Sequence, residues 1–300
     1  MEKHEIKKDE AVKENCYTMP DSVSGSSAYT YMAELFAVPS VLKRIYTRTG
    51  VEVFYFCSGD VQKKEFVAKI SSGENSFKAA VRECEVLHAL QGKEYVVKVL
   101  ESHIFSDSKQ VILLEEPLYP LQRSEWRKPH DIFKLGIKLC EIFMDLRSEK
   151  IAYHDICIKN IMFRNNSMLP VLSDFNCITR ERIDDPPISV VGTPPYIAPE
   201  IMHHLQYNEA AEVYALGVLI SKLLMEKDSD YYFPYDDVPT IIPDFFVGNI
   251  ECQSCERSEM DTFFEKYPSL GNAVNMDSQK RYRTFQEFKE AMLLNELRTY

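Results

Sequence analysis

The sequence predicts an α+β fold in two parts, a β-rich first lobe and a mainly helical second lobe. Three observations predict it. Short β-prone runs separated by turn residues dominate up to about residue 116. Long amphipathic runs dominate after it, and Pro117 and Pro120 punctuate the change. Strands that precede helices, instead of alternating with them, give segregated layers. Three hundred residues suffice for such a unit with short tails.

Residues 1–27 are charged and then Ser/Gly-rich, without apolar periodicity, and read as an N-terminal tail. From Ser40 the pattern turns β-like. Residues 51–56 and 65–70 read as strands, with Ser58-Gly59-Asp60 as a turn signal between them. Residues 76–90 read as a helix burying Phe77, Ala80, Val81, Cys84, Leu87 and Ala89. Two further strands are expected around residues 95–100 and 111–115. The first lobe is therefore an antiparallel sheet with one helix over residues 28–116, and the second lobe covers 117–300, with the boundary near 116–123. In the second lobe, 130–147 is strongly amphipathic, and 209–225 and 284–297 read as later helices. There are no internal repeats.

Composition excludes some functions. With 45% hydrophobic and 27% charged residues the chain is ordinary for a globular protein. A net charge of −11 argues against nucleic-acid binding, which demands clustered Lys and Arg. No apolar run approaches the roughly 20 residues that span a bilayer, and the start lacks the order of a signal peptide. The eight cysteines are scattered, as in a reducing compartment. Cys252 and Cys255 form a lone CxxC with no second ligand pair, so they read as ordinary thiols. A soluble, cytoplasmic protein is the expectation.

The chemistry is concentrated in Tyr153-His154-Asp155-Ile156-Cys157-Ile158-Lys159-Asn160, followed by Asp174-Phe175-Asn176. An aspartate, an asparagine and a second aspartate in this order suit phosphoryl transfer: one carboxylate faces the attacking hydroxyl, while the amide and second carboxylate hold magnesium. Further along stands Gly192-Thr193-Pro194-Pro195-Tyr196-Ile197-Ala198-Pro199-Glu200, and earlier stands Val67-Ala68-Lys69.

Together these segments resemble the eukaryotic-type Ser/Thr protein kinases, over about residues 38–297. The resemblance implies a bilobal kinase fold, ATP as phosphoryl donor, Mg2+ (or Mn2+), and protein substrates with Ser or Thr, and it leaves room for a regulatory protein partner. It makes Lys69 the lysine that grips the α and β phosphates, with Glu83 as its carboxylate partner; Glu85, on another helix face, is the other candidate. Asp155 handles the hydroxyl proton, and Asn160 and Asp174 hold the metal. Gly50, Val53, Ala68, Leu114, Glu115 and Glu116 fall about the nucleotide, with Leu114 at the back of its pocket. Glu200 and Arg281 form a structural ion pair, and Thr193 bonds near Asp155.

Several positions depart from the family pattern. The phosphate loop, 45–53, keeps one glycine, Gly50, out of register, which leaves Arg48 as a side-chain phosphate contact. His154 replaces the arginine that pairs with an activation-loop phosphate, so phosphorylation at Thr179 or Ser189 is not expected to be obligatory. Cys157 stands in place of a phosphate-steadying lysine, and Lys159 supplies that charge instead. Asn176 replaces a glycine and, as a residue tolerant of left-handed backbone, preserves the presentation of Asp174. Glu212 replaces a helix aspartate that holds the catalytic loop. A protein Ser/Thr kinase is the reading these residues favour. A catalytically impaired pseudokinase acting as a nucleotide-binding or scaffolding protein is the alternative, and a small-molecule kinase is a second one.

Overall fold

Alternating apolar residues in the first third of the chain build a sheet. In the computed structural model, which describes residues 40–58, 65–121, 128–165, 167–180, 192–204, 207–228 and 257–298, the elements divide between two compact units, Met1–Cys84 with Lys98–Pro117 and Glu85–Val97 with Leu118–Tyr300. The expected tail, Gly59, Asp60, Arg123, Ser189, Cys252 and Cys255 lie outside the described residues.

The first unit carries β1 (Ser40–Arg48), β2 (Val51–Ser58), β3 (Glu65–Ser72), β4 (Val99–Phe105) and β5 (Gln110–Glu115) as one antiparallel sheet in the order β1-β2-β3-β5-β4. Because successive side chains of a strand point to opposite faces, the even-numbered residues Phe56, Phe66, Ala68, Ile70, Ile112 and Leu114 gather into one core cluster. Phe56 and Phe66 are register partners and their rings stack 4.5 Å apart. Every residue of β5, which lies between β3 and β4, is buried. Gly73 (φ 85) ends β3 and lets α1 (Glu74–Ala89) begin at once, its carbonyl accepting the Phe77 N–H.

The expected strand at 95–100 is corrected: β4 runs Val99–Phe105. The apolar run there serves two partners. Val96 makes a lone parallel bridge to Leu172 within the second unit, and the Tyr95 carbonyl accepts the Leu172 N–H.

The second unit is built on α2 (Pro129–Ser148) and α4 (Glu209–Asp228). Proline at the first turn of α2 costs no hydrogen bond. From Ala210 to Leu224, α4 is buried on every side, as a central helix must be. Around these lie α3 (Pro199–His204), α5 (Arg257–Lys266), α6 (Pro268–Ala273) and α7 (Phe285–Arg298). Gly136 on α2 permits close packing, since a Cβ there would meet Met292 Sδ at 3.0 Å and Ile220 Cδ1 at 3.1 Å. Phe143 of α2 stacks on Phe285 of α7 at 5.1 Å. Short strands frame residues 153–174: β6 (Tyr119–Pro120), β8 (Ile161–Phe163) and β9 (Pro170–Leu172) form one sheet, while β7 (Ile151–Ala152) pairs with β10 (Thr179–Arg180).

Candidate active site

In the first unit, β3 projects Lys69 onto α1. Its Nζ donates to both oxygens of Glu83, at 2.9 and 2.8 Å, with the two side chains 10% and 1% exposed. A buried charge at this depth requires such a partner. Glu85, two residues on, is exposed.

Strand register decides which neighbours share the Lys69 face. Val53 and Leu113 stand opposite Lys69, and Val67 stands opposite Tyr55 and Glu115. Ala68 and Leu114 are partners of one another on the other face, inside the phenylalanine cluster. Alternation turns Ala68 and Leu114 away from the lysine and puts buried Glu115 on its side. Glu116 Oε1 accepts the Lys98 N–H at 2.9 Å. Gly50 occupies the β1–β2 turn at φ 77, its carbonyl accepting the Ser72 N–H at 2.8 Å. A Cβ there would stand 2.5 Å from Ser76 Oγ, so the glycine answers a close approach of this chain to itself.

In the second unit, Asp155 follows β7 and Asn160 closes a short 3-10 turn, Ile158–Asn160. The Asn160 amide donates to the Asp155 carbonyl and to Asp155 Oδ2, both at 3.0 Å. The Ser173 N–H donates to the Asn160 carbonyl at 3.1 Å and brings Asp174 next in line. Asp174 has φ 57, and Asn176 is not among the residues with positive φ. The expected use of Asn176 as the left-handed position is corrected: the aspartate itself takes that backbone. Asn176 Oδ1 instead accepts the Cys177 thiol at 2.9 Å.

Glu212 of α4 holds this loop from below. Its Oε1 accepts the N–H groups of Tyr153 (2.9 Å) and His154 (3.1 Å), while Oε2 takes Arg147 at 3.0 Å. Arg147 also meets Glu209 at 3.2 Å, and Glu209 accepts the Phe285 N–H. The extra methylene of glutamate over aspartate is thus absorbed by an arginine at the end of α2. Sequence reading missed Arg147 because its partner lies 65 residues away; its only local signal was a basic residue in a helix's last turn.

Tyr153 is fully buried, its hydroxyl donating to the Ser173 carbonyl and its ring meeting Phe175 edge-on at 5.2 Å. Burial pushes its phenol well above the usual range. His154 is buried and left-handed (φ 63), with Nε2 2.6 Å from Thr179 Oγ1 and its ring against Tyr207. Burial pushes its imidazole below the usual range; nearby Glu212 opposes this and Arg147 adds to it. Cys157 is buried too, which pushes its thiol up to about 11, and it hydrogen-bonds Thr193. Lys159 is exposed.

Glu200 and Arg281 form a two-pronged pair, 2.7 and 2.9 Å, with the Arg281 side chain fully buried over the Tyr214 ring. Arg281 further donates to the carbonyls of Asn275 and Ala210.

The family described as Protein kinase domain matches residues 51–234. The chain belongs to that family. Among the relatives of this kinase domain, cAMP-dependent protein kinase type 3 of Saccharomyces cerevisiae (strain ATCC 204508 / S288c) is 30% identical over 126 residues, 40% of this chain and 31% of its own. Dual specificity testis-specific protein kinase 1 of Mus musculus is 28% identical over 152 residues, 44% of this chain and 24% of its own. Serine/threonine-protein kinase 36 of Mus musculus is 23% identical over 172 residues, 55% and 13%. The kinase domain spans less than a third of the length of these relatives. Among the described residues, no helix is long and apolar enough to cross a membrane.

Proposed function

We propose that this chain transfers the γ-phosphoryl group of ATP to Ser and Thr hydroxyls of proteins. The observation that carries the proposal is the Asp155–Asn160 clamp, in which both amide bonds of Asn160 end on Asp155. With its N–H groups so committed, the Asn160 side chain has its carbonyl oxygen to offer a cation, alongside the Asp174 carboxylate. Hard oxygen donors of this kind fit Mg2+, and one carboxylate with one amide leaves positions for water and phosphate oxygens. Bound there, Mg2+ supplies neutralisation of charge on the transferred phosphoryl group.

The remaining work falls to the chain's own side chains. Asp155 orients the attacking hydroxyl and accepts its proton, Lys69, held by Glu83, steadies the α and β phosphates, and Lys159 adds a positive charge near the transferred group. Positioning and charge supply most of the acceleration in such chemistry. Residues 192–200, fastened by the Glu200–Arg281 fork, suit a peptide platform more than a small substrate.

A second reading, nucleotide binding without turnover, is favoured by one feature: buried Cys157, with its thiol held neutral, stands where the family carries a lysine. Turnover with Asp174→Ala and Asp155→Ala separates the two. The expected outcome is loss of phosphate transfer of at least about 100-fold in both variants, with the melting temperature kept near wild type. Transfer retained by Asp174→Ala with Mg2+ as the only metal contradicts the metal assignment. Nucleotide binding by wild type with no transfer to any protein supports the second reading.

A further inference from the structure

The segment after Asp174 must return to the catalytic loop in a fixed place if the aspartate is to be presented. Two groups of contacts bring it back. Phe175 packs under Tyr153, whose hydroxyl reaches the Ser173 carbonyl. Four residues beyond Phe175, β10 pairs with β7 through Thr179 opposite Ala152 and Arg180 opposite Ile151. A two-residue strand pair is a weak tether by itself.

The side chain of His154 reinforces that tether. Its Nε2 lies 2.6 Å from Thr179 Oγ1, and its ring is wedged edge-on against Tyr207 at 4.8 Å. Its backbone N–H is fixed by Glu212, which Arg147 holds in turn. The residue is buried and sits at φ 63, a backbone that a side chain of this size adopts only when its surroundings hold it there. Its second ring nitrogen, Nδ1, is buried without a hydrogen-bond partner. The ring is therefore oriented for a single polar contact, the one to Thr179.

We propose that His154 is a positioning residue: through the Thr179 hydroxyl it fastens the segment that follows Asp174 to the catalytic loop. The inference rests on the kinase reading of Asp155 and Asp174. It gives that reading a specific consequence, because a hydrogen bond between two neutral side chains holds the segment with no phosphate involved. Thr179 is then a structural end of the latch, and its hydroxyl is occupied in the ordered form.

Thr179→Val tests the latch without disturbing volume, since Thr179 is only half-buried and the swap removes one hydroxyl. Two readouts are taken on the purified full chain: steady-state phosphate transfer, and hydrogen exchange over residues 174–180. The expected result for Thr179→Val is a kcat about tenfold lower with the ATP KM unchanged, together with faster exchange across 174–180. Thr179→Ser restores both values. His154→Phe combined with Thr179→Val is no worse than His154→Phe alone, as for two ends of one contact. Exchange and kcat unchanged in Thr179→Val, or additive losses in the double variant, overturn the proposal. If wild type shows no transfer at all, the kinase reading fails, and the exchange measurement still decides whether the latch exists.

Discussion

His154 and Glu212 together explain how this catalytic loop keeps its shape with unusual residues. Glu212 fixes the two backbone N–H groups that precede Asp155, and Arg147 keeps the longer carboxylate from swinging away. His154 uses the same anchored backbone to reach Thr179. The burial of His154 has a pH consequence. Its folded form favours the neutral ring, so the unfolded chain binds more protons on the acid side. The contribution of His154 to stability is fully present above its ordinary pKa of about 6.5 and declines as pH falls below it. Urea unfolding between pH 7.5 and 5.5 should show a steeper loss for wild type than for His154→Gln, which does not titrate. Equal slopes contradict a neutral, buried His154. Asp155, Asn160 and Asp174 stand out in the sequence because one chemistry asks for their types in that order, and the structure joins Asn160 to Asp155. The contacts of Arg147 and Thr179 do not stand out there, because each depends on how distant segments fold back.

Among the elements, the long helices were the most legible. The amphipathic run at 130–147 became α2 (Pro129–Ser148), and 209–225 became α4 (Glu209–Asp228). Helical period survives small errors of alignment, whereas strand period does not, because a slip of one residue moves a side chain to the other face. Leu114, which the family resemblance puts at the back of the nucleotide pocket, stands by register opposite Ala68 in the core. The alternation rule counted outward from Lys69 separates Leu114 from the lysine's face once the pairing of β3 with β5 is known. A paired substitution tests the register. Leu114→Ala should cost about 2–5 kcal/mol in unfolding free energy, with the ATP KM of the remaining folded protein unchanged. Glu115→Ala should alter the ATP KM. A change in KM from Leu114→Ala larger than that from Glu115→Ala contradicts the assignment of faces. Strand β4 was misplaced for a related reason: the apolar residues at 95–97 looked like one strand but serve the bridge to Leu172.

For the whole molecule, family membership rests on the match over residues 51–234 together with a buried lysine–glutamate pair and an aspartate–asparagine clamp. Three departures from the family pattern have a local accommodation: Glu212 with Arg147, His154 with Thr179, Cys157 with Thr193. None of them removes Lys69, Glu83, Asp155, Asn160 or Asp174. The central claim is that these residues still perform phosphoryl transfer to a hydroxyl. Its most direct test is phosphoamino-acid analysis of a basic protein incubated with the purified chain, Mg2+ and γ-labelled ATP, with Asp155→Ala in parallel. The account predicts labelled phosphoserine and phosphothreonine from wild type and neither from the variant. Label that persists with Asp155→Ala, or wild type that binds ATP and labels nothing, contradicts it.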